Sequence, residues 1–565
     1  MTHITASLGL PTSPMGATMQ DVLTKITDTL SAVRVMQRSG LIPFPRVDEG
    51  VRVLLAVDKY GPFAGSVHAH AAAGHGRIAL IDERGALTYR ELEAQSNALA
   101  RAWKTEGIGV GTCVGAMCRN HRGLILTMLA AAKSGVRLVL MNTGFARPQL
   151  VDVAVREKVE FFVFDSEFAD IADALPSDVA TYLSWVDEPV RTPPAETPPR
   201  TLDDLIAGQS TDTVPAPEQP GVFILLTSGT TGTPKGAPRG HTSPFVTAQF
   251  LDRIPLRPKQ TMLMAAPAFH GTGISQLGLG MALENTVVMQ RRFDPETTVR
   301  LIAEHRADTL VLVPTMLQRI IDLGPDVLGK YDTSSLKVIF AAGSAIPPDL
   351  CIRTQEAFGK VLHNFYGSTE VAAVTVATPD DLERAPGTAG RPPATCHIAL
   401  FDDAGKRITE PDVVGRIFAK SGLSFEGYTD GRDKERIDGM LSTGDVGHFD
   451  HDGLLFVDGR DDDMIVSGGE NVYPLEVENL IAERPDVLEV AVIGVEDDEF
   501  GHRLRAFVVA ASTSTRDPDE IRAHVKSNLA RYKVPRDVVF IEELPRNATG
   551  KLLRRVLSEM DVESS

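Results

Sequence analysis

Leu226–Gly236 reads LTSGTTGTPKG, and its reading organises the rest of the chain. It follows Gly221–Leu225 (GVFIL), an apolar run with the length of a buried strand. Glycine, threonine and serine dominate the segment, with one proline and one lysine. Such a composition neither fills a core strand nor holds a helix. It offers hydroxyls, backbone N–H groups and a single cation on a pliant loop, which are the groups that wrap a polyphosphate. The order G-x-x-x-x-G-K-[ST] of the P-loop is absent, so this cradle is of another kind.

Around the loop the chain alternates strand and helix. Ile78–Asp82 reads as a strand. Leu87–Trp103 reads as a helix opened by Thr88, with Glu91 at capping-box spacing. A helix at Leu124–Ser134 and a short apolar strand at Arg137–Met141 follow. This alternation predicts a parallel sheet covered by helices. Arg191–Arg200 (RTPPAETPPR) reads as a surface connection. After a last strand at Gly453–Asp458 the chain restarts, with strands at Met464–Ser467, Val487–Val495, Arg505–Ala510 and Asp537–Ile541. Helices are predicted at Pro474–Glu483 and Pro518–Leu529. That is an α+β unit of about a hundred residues. At the other end, residues 1–18 have a disordered composition. Val22, Leu23, Ile26, Leu30, Val33 and Met36 then recur at helical spacing, a stripe that packs on its own protein or lies on a membrane surface. The division expected is an extension with an amphipathic helix (1–75), a large domain (76–461) and a small C-terminal domain (462–565).

With 565 residues the chain exceeds one ordinary core. Its formal charge of −18 leaves no basic excess for nucleic-acid phosphates. The four cysteines have neither CxxC nor zinc spacing and read as buried thiols. No stretch has the form of a secretory signal or a membrane span, so a cytoplasmic protein is expected, peripheral at the membrane at most.

Further motifs follow the loop in order: Pro267–His270 (PAFH), Val313–Thr315 (VPT), Ala342–Ser344 (AGS), Asn364–Glu370 (NFYGSTE), Ser442–Asp445 (STGD), Gly459–Arg460 and Asn547–Lys551 (NATGK). Together with LTSGTTGTPKG they resemble the signatures of the adenylate-forming superfamily, which holds acyl-CoA synthetases, peptide-synthetase adenylation domains and firefly luciferase. Bacterial fatty-acyl-CoA synthetases (long-chain-fatty-acid–CoA ligases) are the members it is most like. The resemblance spans roughly residues 75–555 and implies an α/β fold, with a large adenylate-forming domain of mixed sheets and helices and a small α+β lid.

What the resemblance implies for the residues can be set against their chemistry. Thr227, Ser228, Gly229, Thr230, Thr231, Gly232 and Lys235 would cradle the phosphates of ATP. Gly343, Ser344, Asn364, Phe365, Tyr366 and Gly367 would hold the adenine, with Tyr366 offering an aromatic face. Asp445 can accept both ribose hydroxyls, and Arg460 adds fixed donors. Thr369 would donate to the α-phosphate. Glu370 is a hard oxygen ligand suited to Mg²⁺. His270 would line the carboxylate site. Lys551 would offset the repulsion between the attacking carboxylate and the α-phosphate. Asp462 matches the hinge about which the lid turns, and Ser467, Gly468 and Gly469 would border the coenzyme A passage. The implied reaction makes acyl-AMP and pyrophosphate, then acyl-CoA and AMP, from a medium- or long-chain fatty acid. The alternatives are a fatty-acyl-AMP ligase that loads an acyl carrier protein and an aryl-acid CoA ligase. The spacing of Pro545, Gly550 and Lys551 resembles an acetylation motif and makes a lysine acetyltransferase an expected partner.

Overall fold

The computed structural model describes residues 19–42, 47–187, 199–227, 235–239, 246–368, 370–421, 433–467, 470–497, 501–511, 516–547 and 550–560. Residues 1–18, most of the Pro-rich connection, Ser228 to Gly232, Thr369, Gly468 and Gly469 lie outside these, and Thr227, Lys235 and Asp462 are described by their backbone alone.

Two large sheets carry the chain up to residue 377. In the first, strands Arg200–Thr201, Ala180–Trp185, Phe161–Asp165, Cys113–Met117, Arg137–Leu140 and Val222–Thr227 run parallel, and Lys235–Arg239 closes the edge antiparallel. In the second, Leu362–Ser368, Val338–Ala342, Thr309–Leu312, Thr261–Met264, Thr286–Met289 and Ile78–Asp82 run parallel between two antiparallel edge strands. Parallel strands need covering on both faces. Helix Arg122–Ser134 shows how it is done here: Gly123 to Lys133 are all buried, as an apolar sequence on every face requires. Its one buried cation, Lys133, is matched by the Glu93 carboxylate at 2.7 Å and by Ser96 and Asn97. The neighbouring helix, Tyr89–Thr105, opens with the expected Thr88–Glu91 capping box.

A third, antiparallel sheet follows, built mainly on Gly415–Lys420, Met440–Phe449 and Leu455–Arg460. Beyond Asp461–Asp463, a single 3₁₀ turn, residues 465–557 build hydrophobic clusters of their own on a sheet of five strands, Glu470–Val472, Ile465–Ser467, Gly501–Ala510, Val487–Asp497 and Asp537–Ile541. The four cysteines are buried and unbridged.

The N-terminal extension differs from an appended arm. Ala32, Val35 and Met36 of helix Met19–Ser39, with Tyr60, Phe63, Ala64 and Val67 of the next helix, belong to the largest core. Arg38 ties the first helix to Asp252 at 3.3 Å. Of the expected stripe, Met36 is buried and Val33 half-buried, whereas Ile26 and Leu30 are exposed, so the helix packs on its own protein at its C-terminal half, through Ala32, Val35 and Met36. The second helix, Val47–Ala73, is broken at Gly61 (φ 80°) ahead of Pro62. Its two arms fold onto each other so closely that a Cβ at Gly65 would stand 2.4 Å from the Ala56 carbonyl oxygen. Only glycine fits there.

Candidate active site

Ligands of open α/β sheets gather at the carboxyl ends of parallel strands. Here those ends, from both large sheets, open on one cavity of 2390 Å3. That exceeds the roughly 300–1,000 Å3 of a single-ligand pocket, so it has room for more than one substrate. Leu225 and Leu226, Pro267 and His270, Val313 to Thr315, Gly343 and Ser344, and Asn364 to Ser368 all line it. The motifs scattered in sequence thus meet in space because each ends a neighbouring strand.

The polar end is built around Asp445. This residue sits on strand Met440–Phe449 directly opposite Arg460 in the antiparallel register. Arg460 Nη1 donates to Asp445 Oδ1 at 3.2 Å, and the Tyr366 hydroxyl, reaching over from the second sheet, donates to Oδ2 at 2.5 Å. Burial pushes the Asp445 carboxyl up, against the pull of the Arg460 guanidinium. Burial and the adjacent carboxylate push the Tyr366 phenol up too, so it stays a donor. Each carboxylate oxygen keeps a second lone pair for an incoming hydroxyl. Thr443 Oγ1 accepts the Asp445 N–H, and Lys434 Nζ donates to the Thr443 carbonyl at 2.9 Å. Lys434 borders the cavity, and nothing in its sequence surroundings marks it.

Not every expected nucleotide contact meets here. The Phe365 ring stacks on Phe250 (5.2 Å between centroids, 12° between planes) and lies 5.3 Å from Phe340. Strand alternation sends it to the opposite face from Tyr366, so it is placed in an aromatic cluster and not beside Asp445. The Asn364 amide donates to the Thr388 carbonyl and secures the strand. Glu370 is buried at the cavity wall. Ser467 is buried in the C-terminal sheet and is not among the residues that line the cavity.

Opposite the polar end stands the C-terminal loop. Asn547 Oδ1 accepts the Lys551 N–H and the Asn547 N–H donates to the Lys551 carbonyl, both at 2.9 Å. Arg546, unremarked in the sequence although it adjoins NATGK, donates to the Gly550 carbonyl at 2.8 Å and pairs with Glu489 at 3.0 Å. Gly550 (φ 78°) lets the loop approach the large domain: a Cβ there would meet Thr315 Oγ1 at 2.4 Å. His270, at the start of helix Gly271–Ala282, lies between loop and floor. Burial and the Lys551 charge lower its pKa to about 4, so its imidazole is neutral near pH 7. Beyond His270 the cavity continues as an apolar gallery along that helix and reaches residues of both N-terminal helices.

Among the described residues no three His, Cys, Asp or Glu side chains form a metal cluster, and no helix is long and apolar enough to cross a membrane.

This arrangement of two sheets, a carboxylate-centred pocket and a lysine loop on a separate unit agrees with comparisons to known proteins. Residues 67–429 match the family described as AMP-binding enzyme, and residues 476–551 match the AMP-binding enzyme C-terminal domain. The chain belongs to the AMP-binding enzyme family. It is 32% identical over 497 residues to an indoleacetate–CoA ligase of Aromatoleum aromaticum, covering 86% of this chain and 95% of the relative. It is 30% identical to the long-chain-fatty-acid–CoA ligase FadD13 of Mycobacterium tuberculosis, covering 84% of this chain and 93% of the relative. The structure of the anthranilate–CoA ligase AuaEII with anthranoyl-AMP matches with a TM-score of 0.79 at 25% identity, covering 89% and 98% of the two chains. The adenylate-forming fold, with its large N-terminal and small C-terminal domains, is therefore that of this enzyme too.

Proposed function

We propose that this enzyme activates a medium- or long-chain aliphatic acid with ATP and transfers the acyl group to coenzyme A. The observation that carries the reading is the continuity of one cavity: a carboxylate-centred polar end, a lysine loop, and an apolar gallery that starts at a half-buried neutral histidine. In the first step a carboxylate oxygen bonds to the α-phosphorus of ATP and pyrophosphate leaves. In the second the sulfur of coenzyme A bonds to the acyl carbon, AMP leaves and the thiol proton is released. Asp445, braced by Tyr366 and Arg460, would take the ribose. His270, being neutral, can donate to a carboxylate without holding it as a strong ion pair. Lys551 would stabilise the charge that builds as two anions approach. The lysine amine is exposed, so acetylation would remove that charge; mass spectrometry of Lys551 beside the first-step rate measures this.

A divalent cation fits the same end. Mg²⁺ takes one or two carboxylates together with phosphate oxygens, and Glu370 supplies a buried carboxylate on the cavity wall. The ion would neutralise phosphate charge; the positioning would still fall to Asp445, Tyr366 and Lys551.

The indoleacetate–CoA ligase relative favours a second reading, an aryl acid seated beside His270. Acid-dependent ATP–pyrophosphate exchange with a graded series of alkanoates and aryl acids separates the two. A maximum among the longer alkanoates supports the first; activation of aryl acids alone overturns it. Replacing coenzyme A by a carrier protein in the second step tests the acceptor.

A further inference from the structure

The apolar gallery has an unusual wall. Residues 19–66 lie ahead of the family match, which begins at residue 67, yet Val33, Met36, Leu54 and Val57 border the same cavity as His270 and Lys551. These side chains reach it because the helix break at Gly61 folds the first arm of Val47–Ala73 back over the second, and Met19–Ser39 is held against helix Val246–Arg253. The facing wall is helix Gly271–Ala282, of which Ile274, Gly278 and Leu279 line the cavity.

Gly278 makes the case specific. Glycine inside a helix is less favourable than alanine. The other interior glycines of this helix have a reason to lack a side chain: a Cβ at Gly273 would stand 2.1 Å from the Pro267 carbonyl oxygen, and one at Gly280 would press on Met262 Sδ at 3.2 Å. A Cβ at Gly278 would meet nothing within 4 Å. It borders the cavity, so the missing side chain leaves open volume where a substrate tail can lie.

We infer that residues 19–66, which precede the family match, form the distal wall of the acid chamber and act with Gly278 to set the length of acyl chain accepted. The inference rests on the acid-activating role proposed above. Each methylene moved from water into an apolar wall is worth about fourfold in binding, so a wall that blocks two or three methylenes changes selectivity by about tenfold or more.

The test is the ratio of kcat/KM for hexadecanoate to that for hexanoate in ATP–pyrophosphate exchange. The comparison sets wild type beside Val57→Trp, on the N-terminal wall, and Gly278→Phe, on the facing helix. A ratio is insensitive to partial misfolding, which lowers both rates alike. Both variants are expected to lower it about tenfold or more. A ratio unchanged in Val57→Trp while Gly278→Phe lowers it overturns the role of the N-terminal helices and leaves the gallery. Unchanged ratios in both overturn the inference while the acid-activating role stands. A wild type that exchanges with no alkanoate overturns both.

Discussion

The two polar halves of the cavity are built in opposite ways. The Asp445 side belongs to strands of the large domain: its carboxylate is buried, both oxygens are engaged, and its neighbours are fixed by sheet register. The Lys551 side rests on a short loop whose own hydrogen bonds hold it in shape, and its side chain is exposed. It reaches the large domain through close approaches such as that of Gly550 to Thr315. The difference teaches where rigidity is useful. If Asp445 takes the ribose as proposed, its place in a sheet keeps it fixed in every state. If Lys551 serves one step only, a loop on a separate unit lets it leave.

Lys551→Ala is expected to have the largest effect and to break the comparison if it fails. Removing a preorganised charge of this kind costs about 10²–10³ in rate, and the whole loss should fall on ATP–pyrophosphate exchange. Conversion of supplied acyl-AMP to acyl-CoA should remain within a few-fold of wild type. Equal losses in both steps would mean that the loop serves structure and does not exchange position.

Asp445→Ala comes next. Hydrogen bonds to a charged group are worth about 1.5–3 kcal/mol each, so ATP affinity should fall about 10- to 150-fold for the loss of one such bond. Tyr366→Phe removes only the brace and should cost less, about two- to tenfold. Titration calorimetry with ATP checks the order; equal losses would show that Tyr366 contributes through more than its hydroxyl.

Much of this was legible in the sequence. Strand–helix alternation foretold parallel sheets, and motifs singled out Asp445, Tyr366, Arg460 and Lys551, which border one cavity. Phe365 borders the cavity but stacks on Phe250, away from Tyr366, because its strand turns adjacent residues to opposite faces, and a motif read as a string does not show faces. Lys434 acts through a backbone carbonyl, and Arg546 through a carbonyl and the distant Glu489, contacts that leave no pattern in the chain. The N-terminal wall was hidden for a different reason: helical spacing marks an apolar stripe, not which cavity its residues border.

Asp462→Pro sharpens the contrast. Asp462 lies in a 3₁₀ turn, whose φ of about −50° to −70° suits proline. The first step should therefore survive, while the second should fall by about tenfold because hinge residues must absorb a φ/ψ change. Parallel assays of the two half-reactions check it, and an unimpaired second step would move the pivot elsewhere.

The smallest effect concerns pH. His270 and His363 both have their pKa lowered to about 4, chiefly by burial. The unfolded chain, with histidines near 6.5, binds more protons between pH 4 and 6.5. Stability from these groups is thus complete above pH 6.5 and lost as pH falls toward 4, by up to about 1.4 kcal/mol per pH unit for each. His270→Asn should flatten the fall of Tm over that window, and a slope equal to that of wild type would show that His270 is not held neutral.

Strand Leu455–Arg460 stops at the residue that faces Asp445, and the 3₁₀ turn begins with the next one. If the lid swings about that turn, the latch and the axle are adjacent links of one chain. A nucleotide seated on Asp445 and Arg460 then clamps one end of the axle, so the swing begins from a fixed bearing. Release of AMP would then loosen that bearing, so that the spent product would time the reset of the cycle.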